Sequence, residues 1–276
     1  MTTREPLARH TYADGSGAPL VLLPSFPLNR RMWDDVAALL PRGRTVLAVD
    51  PPGFGASPPP ERMADALGAD PQPSLETVAD AVAATLRATG VDRAVVAGLS
   101  MGGYVAMALL ERHPGLVAGL GLLSTRSTPD DDAARANRHR VADAVVAAGT
   151  LDELAGTPRA LLGADSRVGR PDLLERMARW IGDANPHGVA WAQRAMAARP
   201  DRTAVLTGFA GPAVVVVGDQ DEVTPVPAAR HMAGALIDAE LVVVPGVGHM
   251  TSLEDPASVA SALGRLLARV ADADRA

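Results

Sequence analysis

A chain of 276 residues can bury a large core, and at this size one sheet domain with an insertion is a common arrangement. The formal net charge is −6 and the basic residues are spread along the chain instead of forming a stripe, which argues against a nucleic-acid partner. There is no cysteine, so disulfides and thiolate metal sites are excluded, and all 26 basic residues are arginine, a coding bias more than a site. The start Met1-Thr2-Thr3-Arg4-Glu5-Pro6 is charged with no apolar run behind it, and no stretch reaches the length of a membrane span. No membrane partner and a cytoplasmic location are therefore expected.

In chain order, short apolar runs rich in β-branched residues predict strands at Leu20–Leu23, Thr45–Asp50, Ala94–Ala97, Val117–Leu123, Ala213–Val217 and Leu241–Val244. Between them, helical patterns run over Trp33–Leu40, Leu75–Thr89 with Ser74 as N-cap, Met101–His113, Pro227–Leu236 and Pro256–Val270. This alternation predicts an α/β fold, a mostly parallel sheet with helices on both faces. The Pro-rich stretch Ser57–Pro73 reads as an excursion between a strand and a helix. From Ser124 to Arg202 the pattern changes to alanine-rich helical segments with charged faces, broken at Gly149, Thr157-Pro158, Arg170-Pro171 and Asn185-Pro186.

Chemistry concentrates at the ends of the predicted strands. Gly98-Leu99-Ser100-Met101-Gly102-Gly103 is a G-x-S-x-G turn between a buried strand and a helix. Such a turn exposes the serine hydroxyl in a strained conformation, and the helix start places free N–H groups beside it, among them that of Met101. A serine needs a base to attack a carbonyl, and the base needs an orienting carboxylate. The loop after Ala213–Val217 supplies three acids, Asp219, Asp221 and Glu222. The loop after Leu241–Val244 runs through Pro245-Gly246-Val247-Gly248 into His249. The other histidines have plainer settings: His113 closes a helix and His139 lies between two arginines on a charged face. No HExxH, paired-histidine, Walker or dinucleotide pattern accompanies the serine, so no cofactor and no metal is expected.

Together these motifs resemble the α/β-hydrolase superfamily, and the resemblance runs through most of the chain. It is carried by the serine turn, by Gly218-Asp219-Gln220-Asp221-Glu222-Val223-Thr224-Pro225 and by Gly246-Val247-Gly248-His249, in the order Ser, Asp, His. Val21-Leu22-Leu23-Pro24-Ser25-Phe26-Pro27-Leu28 and Asp50-Pro51-Pro52-Gly53-Phe54-Gly55-Ala56-Ser57 are similar to its first oxyanion loop and following glycine loop. Small esterases and lactonases, such as 3-oxoadipate enol-lactonases, are the most similar members. The resemblance implies a nucleophile at Ser100, a base at His249 and, from the family's D-x-x-T-P spacing, an acid at Asp221. It implies oxyanion donors at the N–H groups of Phe26 and Met101. Pro24-Ser25 replaces the family's His-Gly pair, and Ser25, with a hydroxyl of its own, is a candidate substrate-binding residue as well as an ordinary turn serine.

The same resemblance makes residues 1–123 and 203–276 the hydrolase core and residues 124–202 a helical cap whose roof would select the substrate. Trp180 and Trp191, with Met177 and Met196, are candidate lining residues, although their helical spacing also suits ordinary packing. The expected function is cofactor-independent hydrolysis of a small-molecule ester or lactone by a monomer or homodimer. Carbon–carbon bond hydrolysis, perhydrolysis and a non-hydrolytic, ligand-binding or cyclase-like role are alternatives on the same fold.

Overall fold

The computed structural model describes residues 5–275; Met1–Arg4, most of the charged start, and Ala276 lie outside the described residues. Seven strands form one sheet: β1 (Arg9–Ala13), β2 (Leu20–Leu23), β3 (Val46–Val49), β4 (Ala94–Leu99), β5 (Val117–Leu123), β6 (Ala213–Gly218) and β7 (Ala239–Val244). Their spatial order is β1-β3-β2-β4-β5-β6-β7. β1 runs antiparallel to β3 and every other pair is parallel. The β2 to β6 strands are buried along their whole length, as expected of parallel strands covered on both faces.

Thirteen α-helices accompany the sheet among the described residues. The first four are α1 (Asp34–Leu39), α2 (Pro60–Leu67), α3 (Leu75–Ala88) and α4 (Met101–Arg112). Between β5 and β6 the described chain forms helices and no strand: α5 (Asp132–Ala148), α6 (Thr157–Leu161), α7 (Ala164–Gly169), α8 (Pro171–Gly182), α9 (Pro186–Ala197) and α10 (Thr203–Thr207). The last three are α11 (Val226–Ala235), α12 (Thr251–Glu254) and α13 (Pro256–Ala273). None is long and apolar enough to cross a membrane.

Helix boundaries follow their punctuation. Gly149 ends α5 in a left-handed conformation, and prolines stand in the first turn of α6, α8 and α9. Ser74 caps α3 by accepting from the Thr77 N–H at 3.2 Å. Ser74→Ala should therefore cost about 1 kcal/mol, read as a lower urea midpoint at unchanged slope. The helix predicted from Trp33 starts differently, because Asn29 accepts from the Arg31 N–H at 3.1 Å and caps a 3-10 turn over Arg30–Trp33 ahead of α1.

The short α10 and α12 were not anticipated, nor were β1 and α2. β1 has the sequence Arg-His-Thr-Tyr-Ala with no apolar run, and it exists because β3 offers it an antiparallel edge. α2 lies inside the Pro-rich excursion, begun by Pro60 and stopped by Gly68 in a left-handed conformation.

Candidate active site

The parallel strands end at one edge of the sheet, and the loops that leave β2, β4, β6 and β7 there carry Phe26, Ser100, Asp221 and His249. In doubly covered parallel sheets this is the edge where ligands bind.

Ser100 joins β4 to α4 with φ 54° and ψ −113°. A serine in that region is strained by about 1–3 kcal/mol, so its surroundings must enforce it. They do so on both sides. The Ser100 N–H donates to Leu123 O at 2.9 Å, and the Thr125 hydroxyl donates to Ser100 O at 2.9 Å. Glycine is obligatory at the flanks: a Cβ on Gly98 would stand 2.1 Å from the Gly102 carbonyl, and one on Gly102 would stand 2.1 Å from Leu23 O. Ser100 itself retains 9% exposure, and its hydroxyl makes no hydrogen bond among the described residues.

The loop after β6 presents one carboxylate to His249. His249 Nδ1 lies 2.9 Å from Asp221 Oδ2 and 3.0 Å from Oδ1, with both side chains buried. Oδ1 also accepts from the N–H groups of Val223 and Thr224 at 2.9 and 2.8 Å, and Oδ2 accepts from the Thr224 hydroxyl at 2.7 Å. Burial alone would raise the Asp221 carboxyl, but His249 and the Thr224 donors outweigh it and hold the group below the usual carboxylate range. An ionised carboxylate only accepts, so His249 Nδ1 is the donor in this pair. The neighbouring acids face elsewhere. Asp219 accepts from the Gly246 N–H at 2.7 Å, and the exposed Glu222 lies 3.6 Å from Arg167.

The N–H groups of Phe26 and Met101 donate to no acceptor among the described residues. Met101 opens the twelve-residue α4, whose dipole favours negative charge at that end. Around Phe26 the chain is buttressed by Asp50, buried at the end of β3: Oδ1 accepts from the Arg30 N–H at 2.8 Å and Oδ2 from the Ala56 N–H at 3.0 Å. The Phe26 ring meets Phe54 edge to face, with centroids 6.2 Å apart. Ser25 is fully buried and its hydroxyl donates to Phe26 O at 3.1 Å, so it serves its own loop.

Of the candidate lining residues, Trp191 shares a narrow apolar crevice with Met101, Phe54 and Pro52, and its indole N–H donates to Pro71 O at 3.1 Å. The Trp180 ring is met by the guanidinium groups of Arg31 and Arg176, 5.5 and 5.1 Å from its centre. Met177 and Met196 are buried. His113 binds Asp80 at 2.8 Å and His231 lies 3.2 Å from the Thr203 hydroxyl, both away from these loops. Thr125 and Thr224 were missed in the sequence, although the Thr of the D-x-x-T pattern is a visible sign of the second.

The chain belongs to the alpha/beta hydrolase fold family, whose pattern matches residues 18–256. It is 30% identical over 250 residues to a pimeloyl-[acyl-carrier protein] methyl ester esterase of Aromatoleum aromaticum, covering 86% of this chain and 93% of that protein. It is 29% identical to a 2-hydroxymuconate semialdehyde hydrolase of a Pseudomonas species, covering 92% and 88%. An esterase structure from Thermogutta terrifontis, with malate bound, superposes with a TM-score of 0.87 at 33% identity over 96% of this chain and 93% of that one. The enol-lactonase of Burkholderia xenovorans LB400 shares the fold, with a TM-score of 0.82 at 22% identity over 95% and 96% of the two chains.

Proposed function

We propose that this protein is a cofactor-independent serine hydrolase of carboxylic esters or lactones. The observation that carries the reading is the buried His249–Asp221 pair at 2.9 Å, set at the same sheet edge as a serine in a strained backbone conformation. Ser100 Oγ attacks the carbonyl carbon while His249 Nε2 takes its proton. Asp221 holds the tautomer and stabilises the imidazolium. The N–H groups of Phe26 and Met101 receive the oxyanion, each donor supplying about 3 kcal/mol at the transition state. His249 then protonates the departing alkoxide, and a water deprotonated by the same nitrogen releases the acid from the acyl-enzyme.

In this reading residues 124–202 are a cap over the site, with Trp191 and Met101 on its apolar wall. Similarity to esterases at 30% and 33% identity supports ester chemistry. Similarity at 29% identity to a semialdehyde hydrolase supports a second reading, carbon–carbon bond hydrolysis by the same three residues. A fluorophosphonate probe should label Ser100 stoichiometrically, located by peptide mass, and a panel of p-nitrophenyl esters and simple lactones should be turned over. Labelling without ester turnover, joined to cleavage of a vinylogous diketone, selects the second reading. No labelling overturns both.

A further inference from the structure

His249 stands on a loop with little intrinsic rigidity. Gly246 adopts φ 70° and Gly248 follows two residues later. The Asp221 carboxylate orients the imidazole ring but leaves the height of the loop above the sheet to other contacts. Those contacts come from one side chain and from the chain around the end of α6.

Glu254 Oε1 accepts from the Gly248 N–H at 3.0 Å and from the Met250 N–H at 3.2 Å, the residues on either side of His249. Its Oε2 accepts from the Gly163 N–H at 2.8 Å. The His249 N–H donates to Leu161 O at 2.9 Å. Glu254 can reach back because α12 is a single turn, closed by its own N–H donating to Met250 O at 2.9 Å. The approach of the two loops leaves no room for side chains: a Cβ on Gly248 would lie 2.2 Å from the Gly163 nitrogen, and one on Gly163 would lie 2.8 Å from the Gly248 nitrogen. Gln220 makes a parallel stitch, donating its N–H to Val247 O at 2.9 Å and accepting from the Ala164 N–H at 2.6 Å.

A carboxylate shared among three N–H groups is a charge-assisted anchor, and glutamine, with one acceptor oxygen and two donor hydrogens, cannot serve all three. We propose that Glu254 is the positioning residue for His249, and that through it the placing of the imidazole depends on how Leu161–Ala164 is seated. Its kinetic consequence rests on the hydrolase reading above; its structural consequence does not.

The test uses Glu254→Ala and Glu254→Gln in the full chain, each checked for folding, with two readouts. In steady state on an ester that the wild type turns over, Glu254→Ala should lower kcat about 100-fold, the scale of a misplaced catalytic group, with KM near wild type and the acid limb of kcat/KM displaced. Glu254→Gln should recover part of the loss. In histidine-labelled protein, the Nδ1 proton resonance assigned by its absence in His249→Gln should shift and exchange faster in Glu254→Ala. Wild-type kcat and acid limb in a folded Glu254→Ala protein, or an unmoved Nδ1 proton, overturns the proposal. If the alanine variant does not fold, the glutamine variant decides by the same two readouts. A wild type whose Ser100 takes no fluorophosphonate and which turns over no ester, but whose His249 resonance responds to Glu254, would remove the hydrolase reading and keep this one; normal turnover indifferent to Glu254 would do the reverse.

Discussion

Asp221→Asn is expected to lower kcat by about ten thousandfold, the loss seen when a triad carboxylate becomes an amide. The surroundings of Asp221 explain why the amide cannot adapt. Oδ1 is the acceptor for two backbone N–H groups, those of Val223 and Thr224, at 2.9 and 2.8 Å. An asparagine must keep its oxygen there, since an NH2 in that place would face two donors. Its NH2 then takes the Oδ2 position, 2.9 Å from His249 Nδ1, and can only donate. The imidazole answers by moving its proton to Nε2, the nitrogen that should receive the proton of Ser100. Substrate binding does not use this pair, so KM should stay near wild type while kcat collapses. Steady-state kinetics on the best ester of the panel, with thermal melts of both proteins, checks this. A loss below tenfold would mean that His249 acts without Asp221.

Much of this arrangement is legible in the chain because its signals are local. Val214 to Val217 can only be a buried strand, and a glycine on each side of Leu99-Ser100-Met101 marks a turn in which a Cβ has nowhere to go. The prolines at 158, 171 and 186 mark helix starts for the same local reason. β1 was hidden because its half-exposed, polar residues become a strand only when β3 pairs with them. α2 was obscured by surrounding prolines, although Pro60 and Gly68 were its start and stop. At the site, three acids of one loop look alike as residue types, and in sequence only the family's D-x-x-T-P spacing points to Asp221. What separates Asp221 from Asp219 and Glu222 is where β6 aims each one, toward His249, toward the Gly246 N–H or toward Arg167. The reach of Glu254 to Gly163 spans 91 residues, and no local pattern encodes it.

Asp130→Ala is expected to destabilise the protein by about 3–5 kcal/mol, because it strands buried positive charge. Asp130 and Arg199 are 3% and 4% exposed. Asp130 Oδ1 accepts from Arg199 Nη2 at 2.7 Å, and Oδ2 accepts from Arg138 Nε. Arg199 lies 4.1 Å over the Tyr104 ring of α4, and Arg138 donates to Gln193 Oε1 of α9 at 3.0 Å. The network thus ties the chain where it leaves the sheet after β5, and where it returns before β6, to the helix that begins beside Ser100. Burial alone would raise the Asp130 carboxyl, but Arg199 and Arg138 outweigh it and lower the group to about 2. The folded value lies below the unfolded one of about 3.9, so this stabilisation is complete above that pH and is lost as the pH falls toward 2. In urea unfolding from pH 6 to pH 2, the wild type should therefore lose about 2 kcal/mol more than Asp130→Asn across that window. Parallel pH curves for the two proteins would show that the pair contributes nothing to acid stability. Asp130→Ala combined with Arg199→Met should regain part of what Asp130→Ala loses, since the second change removes the stranded charge and leaves an apolar side chain on the Tyr104 ring. A double variant no more stable than the single one would place the cost in lost packing of the helical segment and not in the unpaired guanidinium.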